Sequence, residues 1–310
     1  MAGFSAGPKA GGGVKSVDAP FDERLSAPMR VSVITPSFRP GPWLRLCIAS
    51  VADQGVEVEH IIQDAGSDDG TLEWLRHEPR VRVFVEKDAG MYDAINRGLR
   101  RATGEILAWL NCDEQYLPGA LAAVLERFER EPSLDMLFGD IVFVDAEGRY
   151  AGHRKVQPPL LCHTWTCHLS TLSCAMFFRR RVVFDYGEWL DPRWRTSGDG
   201  EWMVRLLRRG VRMAALGRFT SAFTLTGANL GRGADARLEE RELRRRAPVW
   251  MRWGRPLWIA HHRLRRLFGG MYQQAPFSFA IYTPSSPTQR QTQHVAHPWF
   301  RWREQAGARR

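Results

Sequence analysis

The stretch that decides the fold is residues 86–114, EKDAGMYDAINRGLRRATGEILAWLNCDE. Residues 91–102 have the spacing of an amphipathic helix, because their apolar side chains recur on one face. Residues 106–110 (ILAWL) then form a short unbroken apolar run, which is typical of a strand buried on both faces. The run passes directly into Asn111-Cys112-Asp113-Glu114. The pattern therefore predicts a helix, a central strand and an acidic loop at the carboxyl end of that strand.

The same alternation extends towards the N-terminus. We predict strands at residues 30–35, 58–63 and 81–85, and helices at residues 43–52, at 71–76 and after Pro118. Strands that alternate with helices in this order indicate an α/β domain with a mostly parallel sheet and helices on both faces. Ligands bind such sheets beyond the carboxyl ends of the strands. Ser37, Asp64 and Asp113 are therefore expected near one crevice.

The second half of the chain is less regular. Strands are predicted at residues 136–144 and 174–178, and a helix at 202–209. Beyond residue 225 the pattern changes to a charged helical run at 241–246 and an apolar stripe flanked by arginine, formed by Leu257, Ala260, Leu264, Leu267, Phe268 and Met271. The last thirty residues show turn residues and little periodicity. We predict a flexible lead-in at 1–28, a catalytic domain at 29–225, and a basic helical extension with a tail at 226–310.

Charge is distributed unevenly along the chain. The net charge is +10, but residues 205–310 contain 21 Arg and five Asp or Glu, so the remainder carries −6. A basic rear half suits phosphate-bearing partners, namely anionic lipid headgroups, diphosphate carriers or nucleic acid. The alternative is a face that serves solubility alone.

Cysteine usage and hydropathy indicate the compartment. Five cysteines, two of them in apolar runs, fit free thiols in a reducing cytoplasm rather than a disulfide framework. Cys162, His163, Cys167, His168 and Cys174 suggest zinc, but they lack the close CxxC pairing of structural zinc sites, which favours buried thiols and ordinary histidines. No signal peptide or membrane span is predicted, so the expected location is cytoplasmic and any membrane contact peripheral.

Four polar segments could carry chemistry, and each has a structural alternative. Asn111–Glu114 suits a hard divalent cation, or a turn with a helix-capping Asp113. Asp64 in the loop DAGSDDG could accept hydrogen bonds from a nucleobase, or belong to an acidic turn. Asp88 lies before a helix N-terminus, where it could border an anion or cap the helix. Asp199 could be a general base, or complement a helix dipole.

Together these segments resemble family 2 glycosyltransferases with the GT-A fold. The resemblance rests on TPSF at 35–38, QDAGSDDGTLEWL at 63–75, the stretch 86–114, FFRRR at 177–181 and SGDGEW at 197–202. It covers about residues 30–225, and the order and spacing within 86–114 are its most specific part. Relatives often carry His-Gln shortly before the FFRR run, whereas Ser173 and Cys174 stand here.

The resemblance implies a role for each matching residue. Thr35, Pro36 and Ser37 would line the nucleotide, and Asp64 would meet the base, which in this family is often uracil. Asp88 and Asn96 fall in the segment that borders the donor. The DxD motif of the family matches Asn111-Cys112-Asp113, so Asp113 would bind Mn²⁺ or Mg²⁺ and Asn111 a ribose hydroxyl. Asp199 matches the catalytic base, with Glu201 beside it.

The predicted activity is an inverting transfer of a sugar from a nucleotide-diphosphate donor, most favourably a UDP-sugar, to a hydroxyl acceptor. A lipid-diphosphate-linked glycan or a polysaccharide is the expected acceptor, because the arginine-flanked stripe suits a helix lying on the inner face of an anionic membrane. Two alternatives remain open, an inactive nucleotide-binding relative and a nucleic-acid-binding protein. We expect no nucleic-acid partner, because no such motif appears and the acidic front half repels a phosphate backbone.

Overall fold

The computed structural model describes residues 1, 3, 30–227 and 234–301. The predicted lead-in at 1–28 therefore lies outside the described residues, apart from Met1 and Gly3. The same holds for two parts of the predicted extension, residues 228–233 and 302–310.

Strands and helices alternate through the first half, as the sequence predicts. The strands are β1 (Val31–Ser37), β2 (Val58–Asp64), β3 (Arg82–Val85), β4 (Ile106–Trp109), β5 (Glu114–Tyr116), β6 (Met136–Asp145), β7 (Tyr150–Arg154), β8 (Met176–Arg179), β9 (Met213–Leu225), β10 (Phe277–Thr283) and β11 (Ser286–Val295). The helices are α1 (Trp43–Ala52), α2 (Thr71–Leu75), α3 (Met91–Arg101), α4 (Ala120–Arg130), α5 (Leu161–Thr166), α6 (Arg181–Phe184), α7 (Gly198–Arg209), α8 (Ala234–Arg245), α9 (Val249–Trp253) and α10 (Arg255–Phe268).

The main sheet has the strand order β3-β2-β1-β4-β8-β6-β9-β5, with β7 paired to β6. Its first half is parallel, because β1 pairs in parallel with both β2 and β4, and β2 with β3. Its second half is mixed, since β8 runs antiparallel to β4 and β6 while β9 runs parallel to β6. The predicted α/β class with a GT-A-like, mostly parallel sheet is confirmed.

Close packing fixes the helices against this sheet. At Gly98 of α3, a Cβ atom would lie 2.5 Å from Ile34 Cγ2, so only glycine lets the helix approach β1 this closely. On the other side, the rings of Trp109, Phe178 and Trp202 contact one another with centroids 5.1–6.0 Å apart. This fully buried cluster joins β4, β8 and α7 beneath the carboxyl end of β4.

The C-terminal part differs most from the prediction. Within the last thirty residues, for which little periodicity was found, residues 286–295 form β11, which pairs with β10 in an antiparallel hairpin. Phe279 and Ile281 of the hairpin share a buried cluster with Val142 and Val144 of β6. Gln115 of β5 also exchanges two hydrogen bonds with the backbone of Tyr282, at 2.8 and 2.9 Å. The hairpin was missed because β11, SPTQRQTQHV, has few apolar side chains and lies largely exposed.

Helix α10 is oriented opposite to the usual amphipathic arrangement. Its buried residues are His262 and Arg266, whereas the predicted apolar stripe is exposed at Leu257, Leu264, Leu267 and Phe268. The sequence also allows this stripe to pack on the catalytic domain, and the exposure of these four side chains contradicts that alternative. Within the described residues, no helix combines the length and the apolar character that crossing a membrane requires.

Candidate active site

The carboxyl ends of β1, β2 and β4 lie side by side and bring three predicted segments together. Ser37 and Asp64, the last residues of β1 and β2, are paired in register, and the Ser37 hydroxyl donates to Asp64 Oδ2 at 2.7 Å. Cys112, which follows β4, donates from Sγ to the carbonyl oxygen of Pro36 at 3.2 Å. The predicted convergence of Ser37, Asp64 and the 111–114 turn is thus present.

Asp64 is fully buried, and its carboxylate accepts four hydrogen bonds from the protein. Oδ1 accepts from the backbone N–H groups of Gly66 (2.9 Å) and Ser67 (2.7 Å), while Oδ2 accepts from the hydroxyls of Ser37 (2.7 Å) and Ser67 (2.8 Å). A carboxylate offers about four acceptor positions, so none is left over here. In this conformation Asp64 holds the loop after β2, and a nucleobase contact would have to replace one of these bonds.

In the turn after β4, by contrast, buried acceptor oxygens lack hydrogen-bond donors among the described residues. Asn111 Oδ1 and Glu114 Oε1 are buried and have no hydrogen-bond partner among the described residues. Glu114 is held by its other oxygen, which accepts from the Asn111 N–H at 2.8 Å. Burial, together with the nearby Asp113 charge, raises the pKa of Glu114 to about 8, and burial also raises the pKa of Asp113. Excess acceptor oxygen in a desolvated position is what a cation or a donor hydroxyl would satisfy.

Asp199 lies in the first turn of α7, in the neighbourhood of this acidic turn. Tyr92, which is buried on α3, directs its hydroxyl towards Asp199 Oδ1 at 3.4 Å, and the Gly200 N–H donates to the same oxygen at 2.8 Å. The Asp199 charge is close enough to contribute to the raised pKa of Glu114. A Cβ on Gly198 would lie 2.6 Å from the Tyr92 ring, so glycine permits this approach. The predicted base and metal segments therefore lie near enough to each other for their charges to interact.

Glu201, which is predicted to stand beside the base, is engaged in an ion pair. Its carboxylate accepts from Arg205 Nε at 2.9 and 3.1 Å, and Arg205 also pairs with Glu188. Residues two apart on a helix point about 200° apart, so Glu201 faces away from the side that Asp199 occupies. Within α7, Glu201 holds Arg205, and Arg205 ties the helix to the loop around Glu188. A catalytic role for Glu201 stays a prediction.

Three other predicted donor residues have their side chains committed to the protein. Asn96 donates to the carbonyl oxygen of Leu190 at 2.7 Å and accepts from the Leu190 N–H at 3.2 Å, so both ends of its amide are used. Thr35 Oγ1 bonds to His60 Nε2 at 2.9 Å in the core. Asp88 accepts from the Gly90 N–H at 2.9 Å in the turn before α3. Asn96 and Thr35 thus hold the scaffold, and a donor contact by Asp88 stays a prediction.

Glu239 of α8 is a contributor that the sequence analysis missed. Its carboxylate accepts from the backbone N–H groups of Arg195 (2.6 Å), Thr196 (2.9 Å) and Ser197 (2.8 Å) and from the Thr196 hydroxyl (2.8 Å). Burial alone would raise the pKa of Glu239, but these donors outweigh it and the pKa is lowered. The extension therefore anchors the loop that leads to Asp199.

In the cysteine and histidine segment considered for zinc, the histidines contact a third histidine and not the cysteines. All five cysteines are free thiols. His163 and His168 meet His262 of α10 instead, with ligating atoms within 4.8 Å of one another. The rings of His163 and His262 stack at 3.8 Å, and burial, helped by Arg265 and Arg266, lowers their pKa values to about 4 and about 3. Two neutral rings beside two guanidinium groups make a helix contact that disfavours a cation.

Comparison with known families agrees with this geometry. The model of the family described as "Glycosyl transferase family 2" matches residues 32–187, half of the chain. The chain belongs to glycosyl transferase family 2. The matched range contains β1, β2, β4 and the 111–114 turn but ends before Asp199.

The curated relatives include glycosyltransferases and a synthase. A PGL/p-HBAD biosynthesis glycosyltransferase of Mycobacterium bovis (strain BCG / Pasteur 1173P2) is 28% identical over 238 residues, which cover 74% of this chain and 88% of the relative. Chondroitin synthase of Escherichia coli is 26% identical over 147 residues, 43% of this chain and 21% of that protein. These identities agree with the family assignment of this glycosyltransferase.

Solved structures share the fold. TarS of S. aureus, residues 1–349 in complex with UDP-GlcNAc, superposes with a TM-score of 0.55 at 17% sequence identity, covering 77% of this chain and 73% of that chain. The same TarS fragment in complex with UDP gives a TM-score of 0.54 at 18% identity. The family 2 chain therefore has the fold of these enzymes.

Proposed function

We propose that this glycosyltransferase transfers a sugar from a nucleotide-diphosphate sugar, with a UDP-sugar as the favoured donor, to a hydroxyl acceptor. The observation that carries the proposal is the placement of Asp199, which Tyr92 and the Gly200 N–H hold at the start of α7, near enough to the acidic turn after β4 for its charge to act on Glu114. A base and a site for the departing diphosphate must lie on either side of the anomeric carbon, and Asp199 and the acidic turn would take these two roles.

The residues present fit a divalent cation such as Mn²⁺ or Mg²⁺. Asp113 would hold the ion, and the buried oxygens of Asn111 and Glu114 that have no partner among the described residues extend the acceptor set. Hard cations of this kind prefer carboxylate and carbonyl oxygens together with substrate phosphates. When bound, such an ion offsets the negative charge that develops on a departing nucleoside diphosphate. The raised pKa values of Asp113 and Glu114 are the energetic counterpart, because a nearby cation would stabilise their charged forms.

Asp199 is the proposed general base. It removes the proton from the acceptor hydroxyl while that oxygen forms a bond to the anomeric carbon. The bond between the anomeric carbon and the diphosphate oxygen breaks in the same displacement, and the nucleoside diphosphate leaves with the electron pair. Attack from the face opposite the leaving group inverts the anomeric configuration. Tyr92 and Gly200 hold the Asp199 carboxylate in place, which reduces the entropy lost in reaching this geometry.

Two observations support the donor and acceptor classes. The TarS structures that share this fold were determined with UDP and UDP-GlcNAc, which supports a uridine nucleotide. The mycobacterial relative is named for PGL/p-HBAD biosynthesis, which supports an acceptor that belongs to a biosynthetic route. We propose a lipid-linked or polysaccharide hydroxyl as acceptor, met at the cytoplasmic face of the membrane.

A binding experiment tests the donor. Calorimetry would compare UDP, GDP, TDP and CMP, each with Mn²⁺ and with EDTA. Tight binding of UDP that EDTA abolishes supports the proposal. If the folded protein binds none of the four nucleotides, the result contradicts the proposal and favours an inactive relative or a nucleic-acid-binding protein.

A matched pair of variants on α7 tests the base. Asp199→Asn is expected to lower kcat by about 10²–10⁴-fold while UDP affinity stays within about twofold, because a general base acts on the acceptor and not on nucleotide binding. Glu201→Gln is the control, with a loss of stability but a kcat close to wild type. Equal losses of kcat in the two variants would refute the assignment of Asp199.

A further inference from the structure

Helices α9 and α10 expose an apolar face to solvent. We define this face by Trp250 and Trp253 of α9 and by Leu257, Leu264, Leu267 and Phe268 of α10. Trp253 is 82% exposed, Phe268 83% and Leu257 68%. Six large apolar side chains exposed on two consecutive helices indicate an interaction site, whereas single exposed apolar residues need no explanation.

The buried side of α10 shows that this exposure belongs to the fold. The helix docks on the catalytic domain through His262, which stacks on His163, and through Arg265, which donates to the carbonyl oxygen of Pro158 at 2.8 Å. Arg266 is only 4% exposed and lies over the Phe300 ring. Helix α10 thus buries its polar side and exposes its apolar side, the reverse of the usual arrangement. Such a helix is stable when its apolar side contacts a nonaqueous partner.

Charge around the apolar face narrows the choice of partner. No Asp or Glu occurs between Glu242 and Glu304, so α9 and α10 carry only basic charges. Beside them, an open cleft of about 210 Å³ is lined by Arg241, Arg244, Arg245 and Arg252. Four guanidinium groups around one cleft suit a phosphate headgroup, since guanidinium forms paired hydrogen bonds with phosphate oxygens.

We propose that the apolar face of α9 and α10 lies in the interfacial region of an anionic lipid bilayer, with a lipid phosphate in the arginine cleft. Trp250 and Trp253 are the side chains that favour the level of the headgroups. A second copy of the chain fits less well, because a symmetric contact would bring two arginine-rich surfaces together. Nucleic acid would use the arginines but leave the apolar side chains in water.

This proposal names the surface, an anionic bilayer, on which the enzyme would encounter its acceptor. It rests on the proposed function only in taking the membrane as the place where the acceptor is found. Lipid binding itself requires no catalysis. It can therefore be measured separately from nucleotide binding, and the failure of one proposal is distinguishable from the failure of the other.

The test is flotation of the full chain with vesicles of phosphatidylcholine alone or with about a third of phosphatidylglycerol. We expect binding to the anionic vesicles, weakened when NaCl rises from about 0.05 to about 0.5 M. Trp253→Ser combined with Phe268→Ser, and separately Arg245→Glu combined with Arg252→Glu, should each raise the half-saturating lipid concentration at least about tenfold. Calorimetry with UDP and a melting curve for each variant show that the fold is retained.

Matched controls come from the catalytic domain. Arg130→Glu combined with Arg149→Glu makes the same charge change at exposed positions, and Val85→Ser removes an exposed apolar side chain from β3. Both controls should bind vesicles as the wild type does. The proposal is overturned if the folded wild type floats with neither vesicle, or if the α9–α10 variants bind like the controls. It is also overturned if light scattering shows a dimer that these same variants dissociate, or if a DNA or RNA oligonucleotide binds and vesicles do not.

Discussion

Asp64 and Glu114 are both completely or almost completely buried carboxyl groups at the carboxyl end of the sheet, yet their surroundings differ in kind. Asp64 accepts four hydrogen bonds from residues within its own loop and from Ser37. Glu114 accepts one backbone hydrogen bond with one oxygen, and its other oxygen has no partner among the described residues.

The difference separates the residues that build the crevice from those available to a ligand. A carboxylate whose acceptor positions are filled lowers the free energy of the loop that surrounds it. A buried carboxyl oxygen without a partner raises the free energy of the unliganded protein, and that cost is recovered when a cation or a donor group binds. Acidic residues at the ends of strands therefore cannot be treated as one class.

The largest expected effect on the free energy of unfolding is at Asp64. Asp64→Asn keeps the shape but replaces one acceptor oxygen with a donor, so it should lower the free energy of unfolding by about 3 kcal/mol. Denaturant titration would measure this loss. Asp68→Asn, in the same loop, is the control, because Asp68 is exposed and pairs only with exposed Arg39; it should leave the midpoint unchanged. Equal midpoints for the two variants would show that the hydrogen bonds of Asp64 do not hold the loop.

Glu239 is a second carboxylate that, like Asp64, accepts four hydrogen bonds from the protein. Glu239→Gln should lower the free energy of unfolding by about 1–2 kcal/mol and kcat by about tenfold, because the loop before Asp199 loses a charged acceptor. Since the folded-state pKa of Glu239 is lowered, its stabilisation is present above the unfolded pKa of about 4.5 and is lost as the pH falls below it.

Steady-state kinetics and denaturant titration would check the effect of Glu239→Gln. Glu242→Gln is the control one turn later on the same helix segment, where the carboxylate pairs with exposed Arg246. If Glu239→Gln lowered stability without lowering kcat, the glutamate would support α8 but not the catalytic loop.

The stacked histidines test whether a buried atom without a partner always indicates a ligand. His262 Nε2 has no partner among the described residues, yet Arg265, Arg266 and His261 oppose a positive charge there. Both rings are neutral in the folded state, so their contribution to stability is constant above pH 6.5 and falls as the unfolded state takes up protons below it. The expected loss is up to about 1.4 kcal/mol per pH unit for each ring until the folded pKa is reached.

Melting curves between pH 7.5 and pH 5, compared between the wild type and His262→Gln, would separate this dependence from the opposite contribution of Glu114, whose pKa is raised. His262→Gln should remove one ring's share and reduce the slope, while His60, whose pKa is lowered to about 3 by burial, contributes equally to both proteins. We expect no rise in Tm with Zn²⁺. A zinc-dependent rise that His262→Gln abolishes would show that the cluster binds metal.

The smallest expected effect on stability is at Glu114. Glu114→Gln preserves an oxygen for the Asn111 N–H and removes a buried acid, so the free energy of unfolding should change by less than about 1 kcal/mol. Its effect should appear in binding, as a weaker dependence of UDP affinity on Mn²⁺. A large loss of stability without any change in metal-dependent binding would place Glu114 with Asp64 among the residues that only build the crevice.

Local patterns in the sequence predicted the first half of the molecule well. The helix at 43–52 has the predicted bounds, and Ser37, Asp64 and the 111–114 turn meet because strand order follows from the α/β alternation. The hydrogen bonds that separate Asp64 from Glu114 could not be predicted, because they depend on loop conformation rather than on residue type. The same limit applies to Asn96, whose partner Leu190 is 94 residues away.

The C-terminal part shows a different limit. Periodicity identified the apolar stripe of α10 but gave no information on whether protein or solvent covers it. That outcome depended on the contact between His163 and His262, two residues from distant segments. Glu239 was missed for a similar reason, since a single glutamate in a charged helix has no sequence signature until its three backbone partners are brought to it.

The link from Glu239 to the loop before Asp199 has a consequence for modular engineering. The family match ends at residue 187, which invites chimeras that keep a donor-binding half and exchange everything after it. In this chain such an exchange would replace both the proposed base and the glutamate on a later helix that fixes its loop. A chimera that keeps this loop in place would have to take residues 195–199 and α8 from the same parent. The smallest segment that can be exchanged therefore includes residues on both sides of 228–233.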